Sequence, residues 1–290
     1  MKRLGACSLG VVAMALGLVG PAVGAVRVTV TPTTLRQGDV AVIVVTGVSG
    51  VPAMDGSVAG RPLYFFPYAD GYAALIGIDL DARPGKTPWR IGFVDSAGQS
   101  RARSGAITVK ARKYSVQRLS LPKSMVELSP EDERRAGAET ARLAMLFDTI
   151  SAERLWRGRF TKPIASHVVP EGFGARRIIN GKPRSPHSGV DFAAPAGTPV
   201  VASNRGRVAL VVNFFFGGRL VALDHGEGLY TLYMHLERAD VAEGELVERG
   251  SIIGAVGSTG RATGPHLHWA ASLRRSRIDP DALLALPVRD

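Results

Sequence analysis

From Val26 to Lys110 the apolar residues come in short runs with the period of a strand. Val26, Val28 and Val30 alternate with Arg27 and Thr29, the pattern of a half-buried strand. Val40 to Val45 is a β-branched run behind the turn residues Gln37-Gly38-Asp39. Asp70-Gly71 separates Tyr64-Phe65-Phe66 from Tyr72 to Ile78, and Asp95-Ser96-Ala97-Gly98 separates Trp89 to Val94 from Arg103 to Lys110. Both read as hairpins. Short strands with turns at this spacing predict a small β-sandwich over residues 26–112, immunoglobulin-like in architecture. It contains no histidine, and its carboxylates are scattered at turns.

The pattern changes over residues 113–159, which read as a linker with one helix. Ser129-Pro130-Glu131-Asp132 is a helix start, with Ser as N-cap, Pro at the first helical position and acids in the first turn. Leu143, Leu146, Phe147 and Ile150 share one helical face, so the helix is expected to pack between the two halves. From Phe160 the chain is β again and glycine-rich. Pro199–Ala202, Arg207–Phe216, Arg219–Leu223, Leu229–Leu236 and His266–Ala271 are strand-like, separated by turns such as Asn204-Arg205-Gly206, Gly217-Gly218 and His225-Gly226-Glu227-Gly228.

The N-terminus has its own logic. Lys2 and Arg3 precede an uncharged stretch whose most apolar part, Leu9 to Val19, ends at Gly20-Pro21 and is followed by Val23-Gly24-Ala25. This is the pattern of a secretory signal peptide, residues 1–25, cut after Ala25. Leu4-Gly5-Ala6-Cys7 looks like a lipoprotein box but precedes the apolar core, where it cannot serve as one. No later segment is long and apolar enough to span a bilayer. The expectation is an exported protein of the periplasm or cell envelope, with no stable membrane insertion once the signal is removed.

The 290 residues suffice for two ordinary domains, and 46% hydrophobic with 21% charged residues excludes disorder throughout. The net charge of +11 suits a polyanionic partner such as nucleic acid, anionic lipid or cell wall. Export and the lack of a nucleic-acid motif argue against the first, and the Arg274-Arg275-Ser276-Arg277 cluster reads as a solvated turn. The one cysteine, Cys7, lies in the signal, so neither a disulfide nor a cysteine metal cluster is available.

All six histidines lie after residue 160, and four of them join one aspartate in three short motifs. In His187-Ser188-Gly189-Val190-Asp191, a fully extended strand would hold positions i and i+4 about 13 Å apart. A bend at Ser188-Gly189 would bring them together. In His266-Leu267-His268, residues i and i+2 point to one face of a strand while Leu267 and Trp269 face a core. His235 sits in a third strand-like run, Tyr233-Met234-His235. Together these supply three ligands and two spare bases, the requirement of a catalytic zinc site with an open position. Spacing alone leaves open a closed structural site with four ligands, and which of His266 and His268 binds metal.

At these residues the sequence resembles the lysostaphin/LytM-type zinc metallopeptidases of bacterial cell walls. The likeness runs from about Phe160 to Pro280 through Phe173-Gly174-Ala175-Arg176, Pro186-His187-Ser188-Gly189-Val190-Asp191-Phe192, Gly197-Thr198-Pro199-Val200, Asp224-His225-Gly226, Tyr233-Met234-His235 and Gly257-Ser258-Thr259-Gly260, on to Gly264-Pro265-His266-Leu267-His268-Trp269. The resemblance implies a mainly β chain whose residues 160–290 form an antiparallel β peptidase domain of the duplicated hybrid motif, with a groove over the metal. It implies one Zn2+ per chain held by His187, Asp191 and His268, with His235 and His266 as the unligated catalytic histidines. The activity implied is hydrolysis of peptide cross-links in peptidoglycan through a metal-activated water. His225 lies in a family-like turn and is expected to make turn-stabilising hydrogen bonds. His167, before the stretch Val168–Gly172, is given no role. Phe214-Phe215-Phe216 is expected to pack in the core. Two other readings follow from relatives or from charge: a non-catalytic LytM-type regulator of wall amidases, or a wall-binding protein acting through the basic sandwich. Autoinhibition by the N-terminal domain is a further expectation by family analogy.

Overall fold

The computed structural model describes residues 26–48, 54–95, 98–120, 127–164 and 172–286. The signal stretch, the Ser96-Ala97 turn and His167 to Glu171 lie outside the described residues. The first strands are β1 (Arg27–Thr31), β2 (Thr34–Arg36), β3 (Val40–Thr46), β4 (Asp55–Val58), β5 (Arg61–Pro62), β6 (Phe66–Tyr68), β7 (Gly71–Gly77), β8 (Gly85–Val94) and β9 (Ser100–Lys110). They form two sheets, ordered β1-β3-β7-β6 and β2-β9-β8-β4-β5. Ala41, Ile43 and Val45 of β3, with Ala74 and Ile76 of β7, meet Ile91, Phe93, Ile107 and Val109 of the facing sheet. The expected hairpins form as β6–β7 and β8–β9.

The run Val40–Val45 has a second use. A strand apolar at every position is buried on both faces. Val40 and Val42 of β3, with Ala73 and Leu75 of β7, point away from the sandwich core. They pack on Trp156, Phe160, Leu273 and Ile278. The two halves of the chain therefore share a core.

Next come β10 (Val116–Leu119) and α1 (Pro130–Asp148). Ser129 Oγ accepts from the Asp132 N–H at 3.1 Å, and Pro130 opens the helix behind this cap. The helix does not lie between the halves. Leu143, Leu146 and Phe147 pack on Leu210, Phe214, Leu220, Tyr230 and Leu232 of the C-terminal sheet, because that sheet face is apolar and otherwise open to water.

The C-terminal strands are β11 (Arg176–Ile179), β12 (Lys182–Pro183), β13 (Gly189–Ala193), β14 (Pro199–Val201), β15 (Gly206–Phe214), β16 (Gly218–Asp224), β17 (Leu229–Ala239), β18 (Leu246–Val247), β19 (Ile252–Val256), β20 (His266–Leu273) and β21 (Ser276–Ile278), closed by α2 (Pro280–Leu284). The main sheet runs β13-β20-β17-β16-β15-β18, with β14, β19 and β21 joined to it. β10 pairs with β11 in parallel, and β11 with β12 antiparallel. Val190, Phe192, Tyr233, Leu236, Leu267 and Trp269 fill the inner core. The opposite face of β13, β17 and β20 is covered by α1 at one end and carries the histidine motifs at the other. The chain is mainly β, as the sequence predicts.

The Arg274–Arg277 cluster is not a solvated turn. The Arg277 guanidinium bonds Asp79 at 2.7 Å and Asp81 at 3.0 Å. Arg274 donates to the Leu75 carbonyl, and Arg275 pairs with Asp148 at the end of α1. These partners are 127 to 199 residues away in sequence, so the local pattern carries no sign of them.

Candidate metal centre

Strand alternation builds most of the site. In β20, Leu267 and Trp269 enter the core, so His266 and His268 share the other face. β13 runs antiparallel beside it with Asp191 opposite His268, and Val190 and Phe192 turn inward. His187 lies in the turn before β13. Its backbone N–H donates to the Ala175 carbonyl at 3.0 Å, and its carbonyl accepts from Gly174 at 2.7 Å. The bend at Ser188-Gly189 brings His187 back over Asp191. Glycine is required there: a Cβ on Gly189 would lie 2.5 Å from the Trp269 carbonyl oxygen and 2.7 Å from His268 Nε2.

His235 reaches the same face by a different route. Tyr233 and Leu236 point into the core, and simple alternation would send His235 in with Tyr233. Instead His235 takes the left-handed conformation, φ +63°, and the pairing of β17 shifts register on both sides of it. The bulge re-aims the imidazole. A β-strand histidine at positive φ is strained, and such strain is characteristic of functional positions. It is held by its N–H to the Gly217 carbonyl and by Nδ1, which donates to the Thr259 carbonyl, both at 2.9 Å.

Three donor atoms converge. His187 Nε2 is 2.8 Å from His268 Nδ1 and 3.1 Å from Asp191 Oδ1, and His268 Nδ1 is 2.8 Å from the same oxygen. A tetrahedral ion with ligands at 2.0–2.2 Å has an edge of about 3.3 Å, close to this triangle. Two imidazole nitrogens and one carboxylate oxygen are a borderline-soft donor set that suits zinc. The residues therefore fit a single divalent ion. The His235 and His266 rings stack with centroids 4.7 Å apart, and His235 lies 6.1 Å from His268. All five residues singled out by the sequence share one site.

The electrostatics follow from burial. Burial opposes ionisation of Asp191, yet hydrogen bonds from His187 and His268 hold its carboxyl well below the usual carboxylate range. Burial pushes His268 down against the pull of Asp191, and pushes His235 down to about 4 against its bond to the Thr259 carbonyl. Both imidazoles are thus kept neutral, with one ring nitrogen free of a proton, the form that binds metal or accepts a proton.

Residues 185–280 match the profile of Peptidase family M23. A solved structure of a peptidase M23 from Pseudomonas aeruginosa is 31% identical, with a TM-score of 0.65. The match covers 86% of this chain and 94% of that one. The chain belongs to peptidase family M23. Among characterised relatives, the peptidoglycan DD-endopeptidase ShyA of Vibrio cholerae is 42% identical over 107 residues, 37% of this chain and 25% of that protein. The DD-carboxypeptidase/endopeptidase Mpg of Neisseria meningitidis is 46% identical over 102 residues, 35% of this chain and 23% of that protein. The chain thus spans about a quarter of the length of the curated relatives it matches.

The structure also places beside these five residues groups that the sequence does not single out. Arg177 Nη2 lies 3.6 Å from Asp191 Oδ2, on the oxygen that faces away from the imidazoles. Burial lowers the Arg177 pKa and the Asp191 charge raises it again. A second arginine after Phe173-Gly174 reads in sequence as a solvated charge, and no local pattern distinguishes it. Thr259 and Gly217 act on His235 through their carbonyls, which any residue carries. His225 lies apart from the metal site. It is fully buried, with Nδ1 donating to the Arg205 carbonyl at 2.8 Å and Nε2 2.7 Å from Thr231 Oγ1. These are the turn-stabilising bonds expected of it.

Proposed function

We propose that this chain is an exported zinc metalloendopeptidase that hydrolyses peptide cross-links of peptidoglycan. The observation that carries this reading is the convergence of His187, Asp191 and His268 beside the free pair His235 and His266. The endopeptidase names of the relatives support the substrate class. The predicted leader supports export, and among the described residues no helix is long and apolar enough to cross a membrane.

His187 Nε2, Asp191 Oδ1 and His268 Nδ1 would hold the ion. When bound, zinc would supply Lewis acidity, lowering the pKa of a bound water towards about 7 and polarising the scissile carbonyl. The remaining work belongs to the two free histidines. His266 Nδ1 donates to the Gly264 carbonyl at 2.8 Å, which leaves Nε2 with a lone pair. His266 is partly exposed, and its Nε2 is the group that takes the proton of the attacking water. His235 Nδ1 is likewise occupied by Thr259. Its Nε2 faces the site as an acceptor. The proton that His266 removes from the water can pass to this nitrogen, which while charged donates to the developing oxyanion and then gives the proton up to the leaving amine.

The test is zinc content and peptide release from sacculi, for the wild type and His266→Ala. The variant retains its metal and loses activity by about 10²-fold or more. Full activity with metal retained removes His266 from the mechanism. A wild type that binds metal, releases no peptides and stimulates a wall amidase would favour the regulator reading.

A further inference from the structure

We propose that Arg177, Arg184 and Arg261 form a carboxylate-binding subsite beside the metal centre, which selects cross-links whose stem peptides carry free carboxylates. This rests on the peptidase reading above and adds a substrate preference to it.

Three observations carry it. Arg177 touches the metal-site carboxylate Asp191 at 3.6 Å, and its Nε donates to Gln117 Oε1 of β10 at 3.4 Å. Arg184 is tied to Arg177 by the sheet, its backbone N–H donating to the Arg177 carbonyl at 2.9 Å, while its side chain is exposed. The Arg261 guanidinium lies 4.2 Å above the Phe216 ring, and its backbone N–H donates to the Phe216 carbonyl at 3.0 Å. Burial lowers the Arg261 pKa first, and the charges of Arg177 and Arg184 lower it further. The Arg261 guanidinium thus stands within the field of the other two.

Only one carboxylate offsets them. Asp191 is committed to the imidazoles, and no carboxylate of the described residues pairs with the side chain of Arg184 or Arg261. Like charges held together are unfavourable unless an anion joins them. The backbone holds these three in place, Arg184 through the ladder and Arg261 through the turn whose Thr259 carbonyl also orients His235. The cluster is therefore anchored to both sides of the reaction centre, to the metal carboxylate and to a free histidine. Guanidinium forks bind carboxylates in bidentate fashion, and peptidoglycan stems present carboxylates close to their cross-links. A glutamyl α-carboxylate and a diamino-acid carboxylate share this chemistry.

The experiment uses the full chain and synthetic cross-linked muropeptide dimers. One dimer has both carboxylates free, one is amidated at the glutamyl α-position, and one at the diamino acid. The wild type is expected to cleave the free acid about 10-fold or more better in kcat/KM than the dimer amidated at the recognised position, mostly through KM. That position is the carboxylate the subsite reads. Arg261→Gln and Arg184→Gln bring the free acid down towards the amidated rate, and Arg261→Lys restores part of the preference. Zinc content stays unchanged. A second readout needs no turnover: an isolated stem tripeptide binds the metal-depleted protein, more weakly in Arg261→Gln and at high salt. Equal cleavage of all three dimers by the wild type, or equal losses on all three in the variants, overturns the proposal. If the metal-loaded wild type cleaves none of them, the peptidase reading fails. The tripeptide then decides the subsite alone, and overturns it if acid and amide bind alike.

Discussion

His225 and His235 are both pushed down to about 4 by burial, yet their surroundings give them different work. His235 keeps one nitrogen facing the site, whereas both nitrogens of His225 are engaged inside the fold. His225 is therefore a pH-sensitive element of stability. Its folded pKa lies below the unfolded value of 6.5, so the unfolded chain takes up the proton first. Stability falls as pH drops from about 6.5 to about 4, by up to about 3 kcal/mol from this group. Glu227, pushed up to about 7 by burial, acts in the opposite sense, because its ionisation at higher pH favours the unfolded chain. Comparing the wild type with His225→Gln isolates the histidine. In urea unfolding, the stability advantage of the wild type over the variant is expected to shrink by about 3 kcal/mol between pH 7 and pH 4. A constant advantage would contradict a buried neutral imidazole. In sequence both histidines were single letters in strand-like or turn contexts. Which one reaches the face of the metal site depends on the positive φ at His235, and periodicity does not encode that.

At the scale of elements, α1 does more than cover a sheet. Glu139 Oε2 accepts from the Phe215 N–H at 2.7 Å, and Arg135 donates to the Asn213 carbonyl at 3.2 Å. These bonds pin the turn between β15 and β16, whose Gly217 carbonyl holds the His235 backbone. Glu139 is thus a positioning residue, two steps from a free histidine. Glu139→Ala is expected to destabilise by about 1–2 kcal/mol and to lower kcat several-fold with KM and zinc content unchanged, while Glu139→Gln, which retains a side-chain acceptor, restores most of the rate. Loss of stability at unchanged kcat would make the contact structural only. The helix itself was legible from Ser129-Pro130 and the spacing of Leu143, Leu146 and Phe147. Its docking surface was not, because an apolar stripe states that something covers it without saying what. The same holds for the β3 run: six apolar residues announce two buried faces, and only the tertiary structure shows that the second belongs to the peptidase half.

The whole molecule is joined by that second face. Val40, Val42, Phe66 and Leu75 from the sandwich and Leu229, Leu273, Ile278 and Leu283 from the peptidase half close around Trp156 and Phe160 of the connecting segment. Polar contacts ring this junction. Arg277 bonds Asp79 and Asp81, Arg112 pairs with Asp279 at 2.7 Å, and the Asp279 N–H donates to the Gly38 carbonyl at 2.8 Å. The connecting segment is equally bound to the peptidase sheet, through Leu155 to the His225 carbonyl at 2.8 Å and Thr161 to the Ser203 carbonyl at 2.9 Å. A junction with an apolar centre and paired charges at its edge couples the stabilities of what it joins. The chain carries three tryptophans, and they report on three places: Trp89 packs against the sandwich core, Trp156 lies in the junction and Trp269 in the peptidase core. Variants retaining one tryptophan each, the others replaced by phenylalanine, are expected to show a single urea transition with the same midpoint in relation to their own far-ultraviolet signal. Arg277→Ala leaves Asp79 without its guanidinium partner and is expected to lower that midpoint by about 1–3 kcal/mol of stability for all three probes together. A Trp89 transition that separates from that of Trp269 in the unsubstituted junction would show that the halves unfold independently, and that the shared core lends neither of them its stability.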